Sequence, residues 1–144
     1  MAEVKKIEEL VSLNSEAETA MFAKKLALET TFGKTILLSG ELGAGKTTFT
    51  RYFVEALKIS TPVSSPTYVL QHEYKSQDGR TIEHWDLYRV SEVPMELQEP
   101  TDKNTLRIVE WGDKFPEFEN HCEIKIRFLV EGENSRSVRI VRRQ

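Results

Sequence analysis

The residues best suited to chemistry lie in one stretch, Gly40-Glu41-Leu42-Gly43-Ala44-Gly45-Lys46-Thr47. It fits the phosphate-binding pattern G-x-x-x-x-G-K-[ST] at every fixed position. A triphosphate needs a ring of donors at close range. Backbone N–H groups supply that ring where no side chain blocks the approach and the chain turns tightly, which calls for Gly40, Gly43 and Gly45. A helix opening at the end of the loop adds unsatisfied N–H groups and a favourable dipole, with Thr48 directly behind the motif. In this pattern Lys46 reaches the β- and γ-phosphates, and Thr47 places its hydroxyl on Mg²⁺.

A phosphate cradle does not hydrolyse ATP alone. The reaction needs a second Mg²⁺ anchor, usually a carboxylate at a strand end, and a group that orients water. Glu110 follows the apolar run 106–109, as a Walker-B acid follows its strand. Asp86 follows a second extended run, 81–85. His84 and Asp86 are two apart and share one sheet face; His84 reads as a structural histidine bonded to a neighbour. Thr67 lies in the turn-rich stretch 60–67. It is either a plain turn residue or a threonine of the kind that senses Mg²⁺ and γ-phosphate in switch-type NTPases. Trp111, next to Glu110, either anchors the sheet in the core or packs against the metal site.

The elements that must position these residues follow from pattern. Residues 35–39 are an apolar run, expected as a buried strand. Phe49, Phe53, Ala56 and Leu57 recur at helical spacing after the loop. A strand feeding a Gly-rich loop that opens a helix is the context the motif requires. Upstream, residues 8–13 suit a short strand, and Ser15 with Glu18 suits a capping box opening a helix to about Thr30. Residues 68–74 and 80–88 look extended and are joined across Asp78-Gly79, a hairpin signal. Residues 91–97 suit a short helix, 98–104 a loop, and 112–122 a loop containing Phe115, Pro116 and Phe118. Residues 123–131 and 137–141 form a C-terminal hairpin. The predicted fold is α/β and P-loop NTPase-like: a mixed sheet with a parallel centre and antiparallel strands, and helices packed on it.

With 144 residues, 30% charged and 39% apolar, the chain suits one soluble domain, 1–144. The net charge of −3 gives no global basic field for nucleic acid. Arg136, Arg139, Arg142 and Arg143 offer either a local basic patch or a solvated strand edge, and the edge is the reading preferred here. Cys122 is the only cysteine, so it has no internal disulfide partner, and it reads as a buried apolar residue. With no apolar run of membrane length and no signal segment, a cytoplasmic protein is expected.

Four pieces occur in order: 40–49 with its Gly-Lys-Thr-Thr, Ser-Pro-Thr-Tyr at 65–68, His-Trp-Asp-Leu-Tyr-Arg at 84–89 and Glu-Trp at 110–111. In these the chain resembles the bacterial TsaE (YjeE) family of small ATPases, over roughly residues 8 to 131. The resemblance implies ATP and Mg²⁺ as ligands and a supporting role in making threonylcarbamoyladenosine beside the anticodon of tRNA. It implies TsaD and TsaB as partners, tRNA contacted only through them, and no membrane. By motif match, Lys46 and Thr47 carry phosphate and Mg²⁺ roles, Glu110 the second Mg²⁺ contact, and Asp86 a role in hydrolysis. Thr67 and Trp111 line the same region, and residues 13–19 lie near the base. Two departures stand out: segment 90–109 is shorter than is usual and holds Pro94 and Pro100, and Glu41 replaces the usual Asp.

Other classes stay open on the residues alone. A small-molecule kinase also uses this loop, but no arginine-bearing lid is visible. A GTP switch would need an Asn-Lys-x-Asp pattern, which is absent. A scaffold that uses ATP only for its own stability is a third reading.

Overall fold

Strand β2, Thr35–Ser39, is apolar on both faces because helices cover it on both sides. The computed structural model describes residues 6–58, 70–76 and 78–143, so Thr67 and its loop lie outside the described residues. Around β2 runs a seven-stranded sheet in the order β1-β7-β6-β2-β5-β4-β3. Strands β4 (Thr81–Asp86), β5 (Thr105–Glu110), β2 and β6 (Ile124–Val130) are parallel. Strands β3 (Gln71–Lys75), β7 (Arg136–Arg143) and β1 (Lys6–Leu13) add on antiparallel. The expected mixed sheet with a parallel centre is therefore observed.

Alternation along each strand separates two cores. Ile36 and Leu38 of β2, Leu106 and Ile108 of β5, and Ile82 of β4 face helices α1 (Glu16–Glu29) and α2 (Lys46–Ala56). There Phe49 packs against Phe22, Phe53 and Phe128, ring centroids 5.6–5.7 Å apart. On the opposite face Leu37, Trp85 and Val109 pack with Leu87, Leu97, Cys122, Phe115 and Phe118. Burial pushes the Cys122 thiol up to about 12, so this cysteine is a packing residue, as its isolation in the sequence suggests.

Helix α1 begins where the capping pattern places it. The Ser15 hydroxyl accepts from the Glu18 amide at 3.1 Å. The hairpin β3–β4 also forms, with Gly79 at φ +86° in its turn. Two expectations change. The helix expected over 91–97 is only α3, Met95–Gln98. Pro94 is the cause: it keeps the residue before it out of the helical region and delays the start. The stretch expected as a loop after Trp111 instead holds a 3-10 turn, Gly112–Lys114, and α4, Pro116–His121. Pro116 occupies the first helical turn, where its missing N–H costs nothing.

The preferred reading of the C-terminal arginines as a sheet edge is also overturned. Strand β7 is interior, paired to β6 on one side and β1 on the other; β1 is the edge. Arg139 pairs with Glu8 at 3.0 Å and Arg142 with Glu9 and Glu29 at 3.5 and 3.4 Å, so these charges are matched locally. The eight-residue pairing of β1 to β7 decides this, and no local pattern in β7 announces it.

Candidate functional site

The parallel strands end together, and the cleft lies at their C-terminal ends, where open α/β sheets place their sites. The chain leaves β2 at Ser39 and enters the glycine loop at once. Gly40 has φ +137°, and a Cβ there would meet the Phe128 carbonyl oxygen at 2.6 Å. Any other residue would push the loop off β6. Gly45 sits at φ +111° as the N-cap of α2 and offers no side chain to cap it. The first-turn amides of α2, from Lys46 to Thr48, are thus left without a side-chain cap at the head of the helix dipole.

Strand parity supplies the acids. Ile82, His84 and Asp86 share a face, as do Leu106, Ile108 and Glu110. Asp86 and Glu110 are register partners, so two carboxylate residues end adjacent strands side by side. Asp86 accepts the Tyr88 amide at 2.9 Å. The cleft between loop and acids is lined by Leu42, Gly43, Gly45 and Lys46, by Thr47 and Thr48, and by Asp86, Glu110 and Trp111. These residues, read from separate parts of the sequence, are brought together. Ala44 is buried beneath the loop, its amide bonded to the Glu41 carbonyl at 3.1 Å. Glu41 and Ala44 thus belong to the loop's frame rather than to the cleft lining.

Lys46 is buried, and its Nζ donates to the Gly40 carbonyl at 2.7 Å. It also lies 3.8 Å from the centre of the Trp111 ring. Trp111 reaches this place through a left-handed backbone, φ +65°. Next to it, Gly112 is required because a Cβ would strike Leu37 and Phe118 at 2.6–2.7 Å. Trp111 does both things its position allows: it packs against the core of Leu37, Trp85 and Val109 and it lines the cleft, with the Tyr88 ring centroid 5.0 Å from its own. Burial pushes the Lys46 ammonium below its ordinary value, while Glu110, Asp113 and Asp86 pull the other way.

Two side chains make contacts that no local pattern announces. His84 is wholly buried and its Nε2 lies 2.6 Å from Glu110 Oε2. The expected bonded neighbour of this histidine is therefore a candidate site residue. Arg136 donates through Nε to the Ala44 carbonyl at 3.2 Å and through a terminal nitrogen to that of Gly43 at 3.4 Å. It also holds the Gly132 and Ser135 carbonyls, at 3.1 and 3.0 Å. One guanidinium thus ties the back of the glycine loop to the β6–β7 turn. By contrast Arg51 turns away, pairing with Glu16 at 2.8 Å.

Among the described residues no cluster of three or more His, Cys, Asp or Glu side chains forms a metal cage. An uncapped helix start, a buried lysine and two strand-end acids fit a Mg-triphosphate. A larger groove, between α1 and strands β1 and β7, is lined by Val11, Met21, Phe22 and Ile140 and contains none of these groups.

Fold and loop together define a P-loop-type α/β protein. The family model described as "Threonylcarbamoyl adenosine biosynthesis protein TsaE" matches residues 13–138, and the chain belongs to that family. It is 38% identical over 135 residues to the tRNA threonylcarbamoyladenosine biosynthesis protein TsaE of Aquifex aeolicus, covering 92% of this chain and 96% of the relative. The Bacillus subtilis protein of the same name is 34% identical over 124 residues, 84% of this chain and 77% of the relative. The crystal structure of Bacillus subtilis YdiB superposes with a TM-score of 0.72 at 26% identity, covering 99% of this chain and 88% of that one. A place in tRNA threonylcarbamoyladenosine biosynthesis follows from family membership. Among the described residues no helix is long and apolar enough to cross a membrane.

Proposed function

We propose that the chain binds and hydrolyses Mg-ATP in this cleft, and that hydrolysis supports the threonylcarbamoyl transfer carried out by a TsaD–TsaB pair. One observation carries the reading: Lys46 and the uncapped start of α2 face the adjacent carboxylates of Asp86 and Glu110 across one cleft. The loop amides and Lys46 bind the phosphate chain. Thr47 and Glu110 hold Mg²⁺, which supplies charge neutralisation on the phosphates. Asp86, anchored by the Tyr88 amide, orients water or the metal's water shell. Trp111 walls the site and keeps bulk water from Lys46.

The partners come from the family resemblance, and tRNA is met only through them. Asp86→Ala and Glu110→Ala test the chemistry, because the loop amides survive both changes. Phosphate release in the assembled system should fall far more than metal-free ATP affinity. A variant that releases phosphate at the wild-type rate removes that residue from the reaction. Co-purification with tagged TsaD and TsaB, with and without ATP, tests the assembly.

A further inference from the structure

We infer that His84 is a positioning residue for Glu110: it ties down one carboxylate oxygen in the sheet and so presents the other to a divalent cation in the cleft. The inference rests on the Mg-nucleotide reading above. As a carboxylate, Glu110 only accepts hydrogen bonds, so the 2.6 Å contact is made by His84 Nε2–H donating to Oε2. Oε1 is then the oxygen available to the cleft that Glu110 lines.

Three features make the arrangement rigid. Both residues sit on interior strands, β4 and β5, whose backbones are locked by the parallel ladder. His84 pairs in register with Ile108 and Asp86 with Glu110, so the imidazole reaches one step along the sheet to the carboxylate. The contact itself is buried, with His84 at 0% and Glu110 at 4% exposure, so water does not compete for it. Lys46 is the other candidate to restrain Glu110, but its Nζ donates to the Gly40 carbonyl at 2.7 Å and acts on Glu110 only through charge. Among the described residues Nδ1 of His84 has no hydrogen-bond partner. The ring is anchored through Nε2, the atom that touches Glu110. A glutamate has three rotatable bonds, and a cation held by a single protein carboxylate needs that carboxylate aimed. Groups that orient metal-ligating carboxylates in this way typically account for about 10- to 100-fold in metal affinity.

The test is the ratio of ATP dissociation constants measured in EDTA and in excess Mg²⁺, read from binding of a fluorescent ATP analogue. By linkage this ratio reports how much more tightly Mg²⁺ binds in the complex than on free nucleotide. His84→Leu should reduce the ratio by about 10- to 100-fold, or to unity, and leave the metal-free constant within about twofold of wild type. His84→Gln places an amide N–H near the position of Nε2 and should restore most of the ratio. His84→Asn places its amide near Nδ1, short of Glu110, and should not. The Gln and Asn pair decides the matter even where the leucine variant does not fold. A wild-type ratio in His84→Leu, or equal ratios in Gln and Asn, overturns the inference. A wild-type protein whose ATP affinity ignores Mg²⁺ overturns the nucleotide reading itself and this inference with it.

Discussion

Lys46 stands where a cation is costly. It is buried, held by one carbonyl and one indole face, and its carboxylate neighbours act only across the cleft. A triphosphate entering the cleft replaces that weak set with full negative charge. Mg-ATP should therefore stabilise the fold, by about 2.7 kcal/mol at a hundredfold excess over the dissociation constant. Lys46→Ala should lose most of that gain in a thermal-shift titration, and an undiminished shift would remove Lys46 from phosphate binding. A pH dependence follows from the same burial. Because the folded value is depressed, the unfolded chain binds more protons between that value and the ordinary lysine value. Stability of the nucleotide-free protein should rise with pH through that window. The rise should be smaller in Lys46→Met, as read by denaturant melts at stepped alkaline pH. Phosphate drives Lys46 back toward the charged form, so ATP affinity should fall with pH across the same range.

The elements around the cleft are tied together by cations on backbone carbonyls. Arg107, on the face of β5 opposite Glu110, donates to the Glu99 and Glu96 carbonyls at 2.7 and 2.9 Å and pairs with Glu83 at 3.1 Å. Lys114 does the same for the Leu87, Tyr88 and Val90 carbonyls, at 2.8–3.1 Å. These two side chains hold segment 87–99, which carries little regular structure of its own, against the sheet. Arg107→Met would leave Glu83 without its ion pair, held only by the Trp85 indole N–H, and would take the donor from two carbonyls, at a cost of about 2–4 kcal/mol in equilibrium unfolding. Arg136 acts on the glycine loop from behind. Its charged donors hold the Gly43 and Ala44 carbonyls and so fix the loop's backbone from the side of the β6–β7 turn. Arg136→Met should cost about 1–3 kcal/mol of stability and shrink the thermal shift given by Mg-ATP at equal ligand. A variant with a lower melting temperature but an undiminished shift would limit Arg136 to a structural tie.

At the scale of the whole molecule, the glycine loop, Lys46 and the two acids meet in one cleft, but the cleft lining contains no arginine among the described residues. Arg51 is engaged with Glu16, and Arg136 touches the loop only through its carbonyls. An arginine supplied to the transition state is worth about 10³–10⁵ in rate. The isolated chain should therefore turn ATP over slowly, and adding TsaD and TsaB should accelerate phosphate release. Fast turnover alone, unchanged by partners, would sink the idea of a site completed in the assembly.

How much of this was legible beforehand depends on how local each signal is. The glycine loop, β2, the start of α1 and the β3–β4 hairpin are set by residues a few positions apart, and pattern reading locates them. Asp86 and Glu110 were readable one at a time as acids closing apolar strands. That they stand side by side is a fact of register between β4 and β5. The edge assigned to β7 failed because pairing with β1 depends on a strand more than a hundred residues away in the chain. The His84–Glu110 contact joins residues 26 apart, and that of Arg136 with Ala44 joins residues 92 apart. Neither has a local pattern, since a buried histidine or a strand arginine looks the same in sequence whatever it meets. The left-handed backbone of Trp111 is likewise imposed by packing, where Gly112 must fit against Leu37 and Phe118. The sequence by itself determined the glycine loop, the fold class and the acids that end β4 and β5, because short-range sterics and periodicity encode them. Only the tertiary structure decided which groups aim those acids and brace the loop, because long-range strand pairing and packing set those contacts.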